Sequence, residues 1–223
     1  MKAVRSPKLA KLTVRVRTTR TGFSIVAIFL LAGQASLFAG QGSPVEPASE
    51  RPLQKGDVEA GGILGGTLPI TLFRARKDRR VSMAAFQVGR VLSGHRGPGP
   101  LAGSFEILLE ITPLLLLHQP ERAFGVTASP LHLRWNFGPM RSLRARAFAE
   151  ASGGMVFTSQ AVPVRTTSFN FIDQAGFGLR FGRNPRRTWL VGYRFQHISN
   201  GGRVKPNPGV NFNFVYVGAS FHR

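Results

Sequence analysis

The chain has 223 residues, which is enough for one domain with a full core or for one small membrane barrel. It contains no cysteine, and this excludes disulfide bonds and thiolate metal sites. The formal net charge is +20, but the basic residues are scattered and accompany no helix-turn-helix, zinc-finger or RNP-like pattern. The composition therefore argues against a nucleic-acid-binding protein.

The N-terminus has the three parts of a secretory signal peptide. Basic residues from Lys2 to Arg20 precede the apolar run FSIVAIFLLA at 23–32, and small residues follow it. We predict a signal peptide over residues 1–40, with cleavage between 35 and 42. The apolar run is shorter than the ~20 residues that a transmembrane helix needs, although an uncleaved anchor is the alternative. Residues 41–59 are polar and contain proline, which predicts a flexible leader.

From residue 60 onward, apolar and polar residues alternate with period two between short turn sequences, a pattern typical of β-strands. Pro113 makes segment 105–117 less regular, and a helix is the alternative there. We predict eight strands, the smallest even number used by outer-membrane barrels. They are 60–73, 81–93, 103–115, 123–137, 145–157, 169–181, 188–199 and 210–221.

The predicted strands have one aromatic face and one polar face. In 188–199 the aromatic face carries Trp189, Tyr193 and Phe195, and the other face carries Arg194 and Gln196. A membrane barrel turns the aromatic face to lipid, whereas a soluble sandwich would bury it. The signal peptide and the arginine on the minor face favour the barrel. We therefore predict an all-β fold, an eight-stranded antiparallel transmembrane β-barrel over residues 60–223 in the bacterial outer membrane.

The segment from Tyr193 to Gly209, YRFQHISNGGRVKPNPG, carries the strongest chemical signal. Residues two apart on a strand share a face, so His197 and Ser199 lie side by side. A histidine next to a serine is the minimum for a nucleophile activated by a base. Both belong to the aromatic face, where an acyl ester in a membrane could reach them.

This segment resembles the active-site region of the PagL family, the outer-membrane lipid A 3-O-deacylases also called acyloxyacyl hydrolases. In that family His-x-Ser-Asn ends one strand and Asn-x-Gly precedes the next, and the matching residues here are His197, Ser199, Asn200, Asn207 and Gly209. The resemblance implies that Ser199 is the nucleophile, His197 the general base and Asn200 an oxyanion donor. It also implies lipid A or lipopolysaccharide as the substrate, with neither a metal nor a cofactor.

The sequence departs from the family at one position, because Asn211 stands where the family has glutamate. An amide can orient an imidazole but cannot balance its positive charge, and in a serine protease the acid-to-amide change costs about 10⁴ in turnover. The alternative function is therefore a non-catalytic outer-membrane barrel with a structural or lipid-binding role. Asp173 is an alternative acid, because a hairpin centred near Pro185 places it opposite His197.

Other charged residues give weaker signals. The basic run RARKDRR at 74–80 falls in the first external loop, where it would either meet lipopolysaccharide phosphates or remain solvated. Glu106 and Glu110 are predicted to be lumen or rim charges. The remaining histidines have no spacing typical of a metal site; they are His95, His118, His132 and His222.

Overall fold

The computed structural model describes residues 53–73, 75, 78–118, 122–140, 145–184 and 187–223. The predicted signal peptide and residues 41–52 of the predicted leader lie outside these ranges. Among the residues that the structure describes, no helix is long and apolar enough to cross a membrane. The strands of these ranges are β1 (Val58–Thr67), β2 (Arg80–Val91), β3 (Gly103–His118), β4 (Arg122–Met140), β5 (Ala145–Thr158), β6 (Phe169–Asn184), β7 (Arg187–Ser199) and β8 (Val210–His222).

The eight strands form one closed antiparallel barrel. Each strand pairs with the next along the chain, and β8 pairs with β1 to complete the ring. Closure matters because it leaves no strand edge with unpaired backbone groups. The predicted fold, an all-β antiparallel barrel of eight strands, is confirmed.

Two proline residues decide where the strands end or become irregular. We predicted that the first strand would continue to residue 73, but β1 ends at Thr67. The Leu68 amide still donates to Asn213 O at 2.7 Å, and Pro69 then has no amide hydrogen to continue the ladder. Pro113 is tolerated inside β3 because the register with β4 shifts between Thr112 and Leu115. The alternative of a helix at 105–117 is thereby excluded.

The outward face of the barrel is apolar, as the alternation predicts. Phe177 is 63% exposed and Trp189 57% exposed, whereas the inward residue Arg194 is 1% exposed. An exposed apolar surface that surrounds a barrel is suited to the hydrocarbon of a membrane rather than to water. Its other members include Leu64, Phe86, Val88, Leu109, Ile111, Phe124, Val126, Leu131, Phe157, Leu179, Val191, Val217 and Phe221.

A network of buried ion pairs fills the middle of the lumen. Arg194 on β7 donates to Glu150 Oε1 at 2.6 Å and to Glu110 Oε2 at 2.9 Å. Arg134 on β4 contacts Glu59 at 3.1 Å and Glu150 at 3.2 Å. Glu106 and Glu110 are therefore lumen residues, one of the two places that the sequence allowed. The network crosses the barrel and ties strands together that are not neighbours in the sheet.

One end of the barrel holds the β1–β2, β3–β4, β5–β6 and β7–β8 connections, and we call it the motif end. Inward-facing apolar residues close the lumen there rather than leaving a water-filled mouth. In an eight-stranded barrel the interior is just wide enough for side chains to fill it. The buried residues of this layer include Val81, Leu115, Leu117, Val156, Ile172, Ile198, Val210 and Phe212.

Glu150 should be the most costly lumen carboxylate to remove. It accepts hydrogen bonds from Arg134, Arg194 and Tyr216, so a Glu150→Leu substitution leaves buried donors and charges without their acceptor. We expect the free energy of unfolding to fall by about 3–5 kcal/mol. Urea-induced unfolding in lipid vesicles measures this.

Glu150→Gln is the control for that experiment, because it removes the charge but keeps an acceptor and the side-chain volume. Its loss should be smaller than that of Glu150→Leu. An unchanged unfolding midpoint for Glu150→Leu would show that the network contributes nothing to stability.

Candidate functional site

The residues of the His-x-Ser-Asn motif lie where β7 ends at the motif end. His197 and Ser199 occupy the outward face and are half-buried. In the sheet register His197 pairs with Asp173 on β6 and with Asn211 on β8. The pairing of Asp173 with His197 is the one that the hairpin prediction required. The structure therefore brings both candidate third residues beside the imidazole.

Asn211 is the neighbour that hydrogen-bonds to His197. Its Oδ1 lies 2.6 Å from His197 Nδ1, and its Nδ2 donates to the carbonyl oxygen of Phe73 at 3.0 Å. A carbonyl oxygen can only accept a hydrogen bond, so Phe73 determines which end of the Asn211 amide faces it. Oδ1 then faces the imidazole, and Nδ1 must donate. In the neutral imidazole the proton is therefore on Nδ1, and Nε2 is the nitrogen that can accept a proton, the form that a general base needs.

Asp173 takes a different position from Asn211. Its Oδ1 lies 3.7 Å from the point where a Cβ at Gly153 would be, so the carboxylate is on the side of β6 that faces β5. Across the ranges that the structure covers, no hydrogen bond or ion pair joins Asp173 to His197. The geometry thus favours Asn211 over Asp173 as the residue that orients the imidazole.

Ser199 lies beside a backbone donor of the β7–β8 loop. The Gly201 amide points at Ser199 Oγ at 3.5 Å. Within the described part of the chain, no hydrogen bond joins His197 to Ser199. Catalytic hydrogen bonds are often long in a protein without substrate and shorten when the substrate binds, so this spacing is compatible with a base and nucleophile pair.

Asn200 has its polar groups engaged within the β7–β8 loop. The side chain is 1% exposed, its Nδ2 donates to Val204 O at 2.8 Å, and its Oδ1 accepts from Gly202 N at 2.9 Å. Asn207 Oδ1 accepts a hydrogen bond from the backbone N–H of Asn200 at 3.2 Å. The hydrogen bonds of Asn200 therefore hold the conformation of the β7–β8 loop. The donor that points at Ser199 is the backbone amide of Gly201.

Gly209 packs against the imidazole at the start of β8. Its φ is +62°, in the left-handed region that favours glycine. A Cβ at this position would lie 2.6 Å from His197 Cε1, which is closer than any real contact. Glycine is thus required here both by the backbone and by the space that the ring occupies.

Three buried residues form a group that could hold a metal ion, but it lies at the opposite end of the barrel from the motif. Ligand atoms of Glu59, Glu106 and His222 all lie within 4.8 Å of one another. Arg180 already contacts Glu59 at 2.6 Å and Glu106 at 3.6 Å. The guanidinium of Arg180 therefore supplies the positive charge beside these carboxylates, and the three residues belong to the lumen network.

The sequence did not reveal that residues 68–73 contribute to this site. The alternation predicts them inside the first strand, whereas the Phe73 carbonyl accepts a hydrogen bond from Asn211 and its ring centre lies 5.5 Å from that of Phe195. The available signal was Pro69, which disfavours a continued ladder. Of the basic run at 74–80, residues 74, 76 and 77 lie outside the described ranges.

Gly209→Ala should displace the His197 ring, because the new methyl group would lie only 2.6 Å from Cε1. We expect the Nδ1 hydrogen bond to Asn211 to be lost, and nitrogen NMR of ¹⁵N-labelled histidine in detergent micelles measures it. Gly202→Ala is the matched control: its φ is also positive, at +78°, but a Cβ there meets nothing within 4 Å. Identical histidine spectra for the two variants would contradict the proposed packing.

Comparisons with known proteins agree with these observations. Residues 120–220 match the profile of a family described as lipid A 3-O-deacylase (PagL). No curated protein matches the sequence at a significant level.

Solved structures that resemble the chain include three from outer membranes. The outer membrane enzyme PagL is 19% identical, with a TM-score of 0.48 over 72% of this chain and 97% of that one. Neisserial surface protein A is 12% identical, with a TM-score of 0.43 over 74% and 95%. The outer membrane protein AlkL is 13% identical, with a TM-score of 0.35 over 82% and 97%. The family match runs from β4 through most of β8 and includes the whole His197 motif, and the resemblance to the PagL family predicted from the sequence is confirmed.

Proposed function

We propose that this protein is an outer-membrane esterase that removes an acyl chain from lipid A or lipopolysaccharide. The observation that carries the proposal is the hydrogen bond from His197 Nδ1 to Asn211, which leaves Nε2 as the proton acceptor on the same outward face of β7 as Ser199. Both residues lie on the apolar exterior of the barrel rather than in its lumen. An acyl ester held in a membrane would approach them from that side.

The proposed reaction follows from the positions of these groups. Ser199 Oγ attacks the ester carbonyl while His197 Nε2 takes its proton, and the Gly201 amide is the nearest donor for the developing oxyanion. The protonated imidazole then gives its proton to the departing sugar oxygen. Water attacks the acyl-enzyme with His197 again as the base, releasing the fatty acid and restoring Ser199.

A cation near Ser199 supports an anionic substrate. The guanidinium of Arg203 lies 4.8 Å from the ring centre of Phe169 and 6.0 Å from that of Phe171, the residue paired with Ser199. Among the described residues no carboxylate forms an ion pair with Arg203, whereas the lumen residues Arg134, Arg180 and Arg194 each pair with two or more carboxylates. A stacked guanidinium keeps its edge available for a phosphate oxygen.

Two observations favour the alternative, a barrel that binds lipid without hydrolysing it. No hydrogen bond joins His197 to Ser199 among the described residues, and the third residue of the site, Asn211, is an amide rather than a carboxylate. Binding of lipid A with no fatty acid released would support this second function.

Replacing the nucleophile or the base decides between the two functions. Ser199→Ala and His197→Ala should each lower the release of fatty acid from lipid A by about three orders of magnitude or more, because the attack loses its nucleophile or its proton acceptor. Mass spectrometry of lipid A incubated with the protein in detergent micelles measures the release.

Ser168→Ala is the control, because Ser168 is an exposed serine in the β5–β6 connection at the same end of the barrel. It should retain the parent rate. If Ser199→Ala also retains that rate, Ser199 is not the nucleophile.

The third residue can be assigned in the same assay. Asn211→Leu removes the acceptor for His197 Nδ1 and should lower turnover by about a hundredfold, whereas Asp173→Asn should change it by less than about threefold. The difference arises because Asn211, and not Asp173, makes the hydrogen bond. A large loss in Asp173→Asn with little effect in Asn211→Leu would reverse the assignment.

A further inference from the structure

Residues 68–73, LPITLF, form a segment that we call the strap, and it covers part of the outward face of β8. Asn213 is the residue beneath it. Its Nδ2 donates to Ile70 O at 3.3 Å and to Leu72 O at 3.1 Å. Asn213 is 0% exposed, although Val217 on the same outward face of β8 is 39% exposed. Beyond Leu68, the strap is thus held on β8 by hydrogen bonds from a side-chain amide rather than by a strand ladder.

The strap is also attached to β7. Tyr193 OH donates to Asn213 Oδ1 at 2.6 Å, so that one amide side chain joins β7, β8 and the strap. The rings of Phe73 and Phe195 make an edge-to-face contact at 5.5 Å. Phe73 has a φ of +51°, an unfavourable conformation for a residue with a Cβ. Such a conformation persists only where the surrounding contacts hold it, as these do.

The strap ends on the hydrogen bond that determines the state of His197. Phe73 O accepts from Asn211 Nδ2, which turns Asn211 Oδ1 toward the imidazole. If the amide turned over, Nδ2 would donate to Nδ1 instead, and the imidazole proton would be on Nε2. His197 could then no longer take a proton from Ser199. A carboxylate at position 211 would need no such selection, because its two oxygens are both acceptors.

We propose that the strap is a positioning element of the site: the Phe73 carbonyl selects the orientation of the Asn211 amide, and Asn211 thereby holds the neutral His197 imidazole in the tautomer that carries its proton on Nδ1. With its orientation selected in this way, the Asn211 amide can orient the imidazole at the position where the family has glutamate. Its catalytic meaning rests on the esterase function proposed above, whereas its effect on the imidazole does not.

Asn213→Asp tests the proposal without changing any residue that contacts His197. An aspartate keeps the acceptor for Tyr193 but loses both donors to the strap. We expect kcat for lipid A to fall about tenfold with KM unchanged, because the base is misoriented in part of the molecules. Asn170→Asp is the matched control: Asn170 is also 0% exposed and its Nδ2 donates to Thr167 O at 2.9 Å, in a connection that does not reach His197.

A double-mutant cycle with Asn211→Glu separates positioning from a general loss of structure. A glutamate orients the imidazole without help from the strap, so Asn213→Asp should lower kcat in the parent but not in the Asn211→Glu background. An equal fold-loss of kcat in both backgrounds would overturn the proposal.

Histidine NMR gives a readout that does not depend on activity. In Ser199→Ala protein in lipid vesicles, ¹⁵N spectra should show His197 protonated at Nδ1, and Asn213→Asp should add a population protonated at Nε2. An identical His197 tautomer in both proteins would overturn the proposal even if lipid A is hydrolysed. The tautomer shift without any hydrolysis by the parent would uphold the strap and refute the esterase.

Discussion

The carboxylate of Glu150 is the acceptor on which the interior of the barrel depends. It receives hydrogen bonds from Arg134 on β4, Arg194 on β7 and Tyr216 on β8, and it is itself on β5. The exterior of the barrel takes many of the large apolar side chains, so the interior is not filled by apolar residues alone. The polar interior therefore has to satisfy its own charges. Arg194 lies three residues before His197, so the same network holds the strand that carries the site.

The two faces of β7 carry different sets of residues: one contributes to the buried lumen network and the other carries the candidate site. Arg194 and Gln196 face the lumen and bond to buried partners, whereas His197 and Ser199 face outward. The alternation of a strand gives each side chain a face, so charged lumen residues and an exterior site can alternate along one segment. The apolar layer at the motif end closes the lumen beneath the site. Ser199 is therefore reached from the apolar exterior of the barrel and not through its lumen.

An amide at position 211 is compatible with base chemistry only if something fixes its orientation. The side-chain amide of asparagine has an oxygen that accepts and a nitrogen that donates. The imidazole can form a hydrogen bond with either end, because its two tautomers differ in which nitrogen carries the proton. The Phe73 carbonyl removes the ambiguity, because it can only accept. The site consequently depends on a segment more than a hundred residues away in sequence, between β1 and β2.

The sequence alone determined the barrel and the outward position of the motif. Period-two alternation assigns faces to residues, and the short connection near Pro185 sets the register that pairs Asp173 with His197. Both are local properties of one strand or one hairpin. The sequence does not show which neighbour orients His197. Strand pairing places two backbones opposite each other but does not determine the direction of their side chains, so this depends on the tertiary structure. Asp173 leans toward Gly153 on β5, while Asn211 is held by Phe73 from the strap. Contacts between segments so far apart in sequence have no periodicity to reveal them.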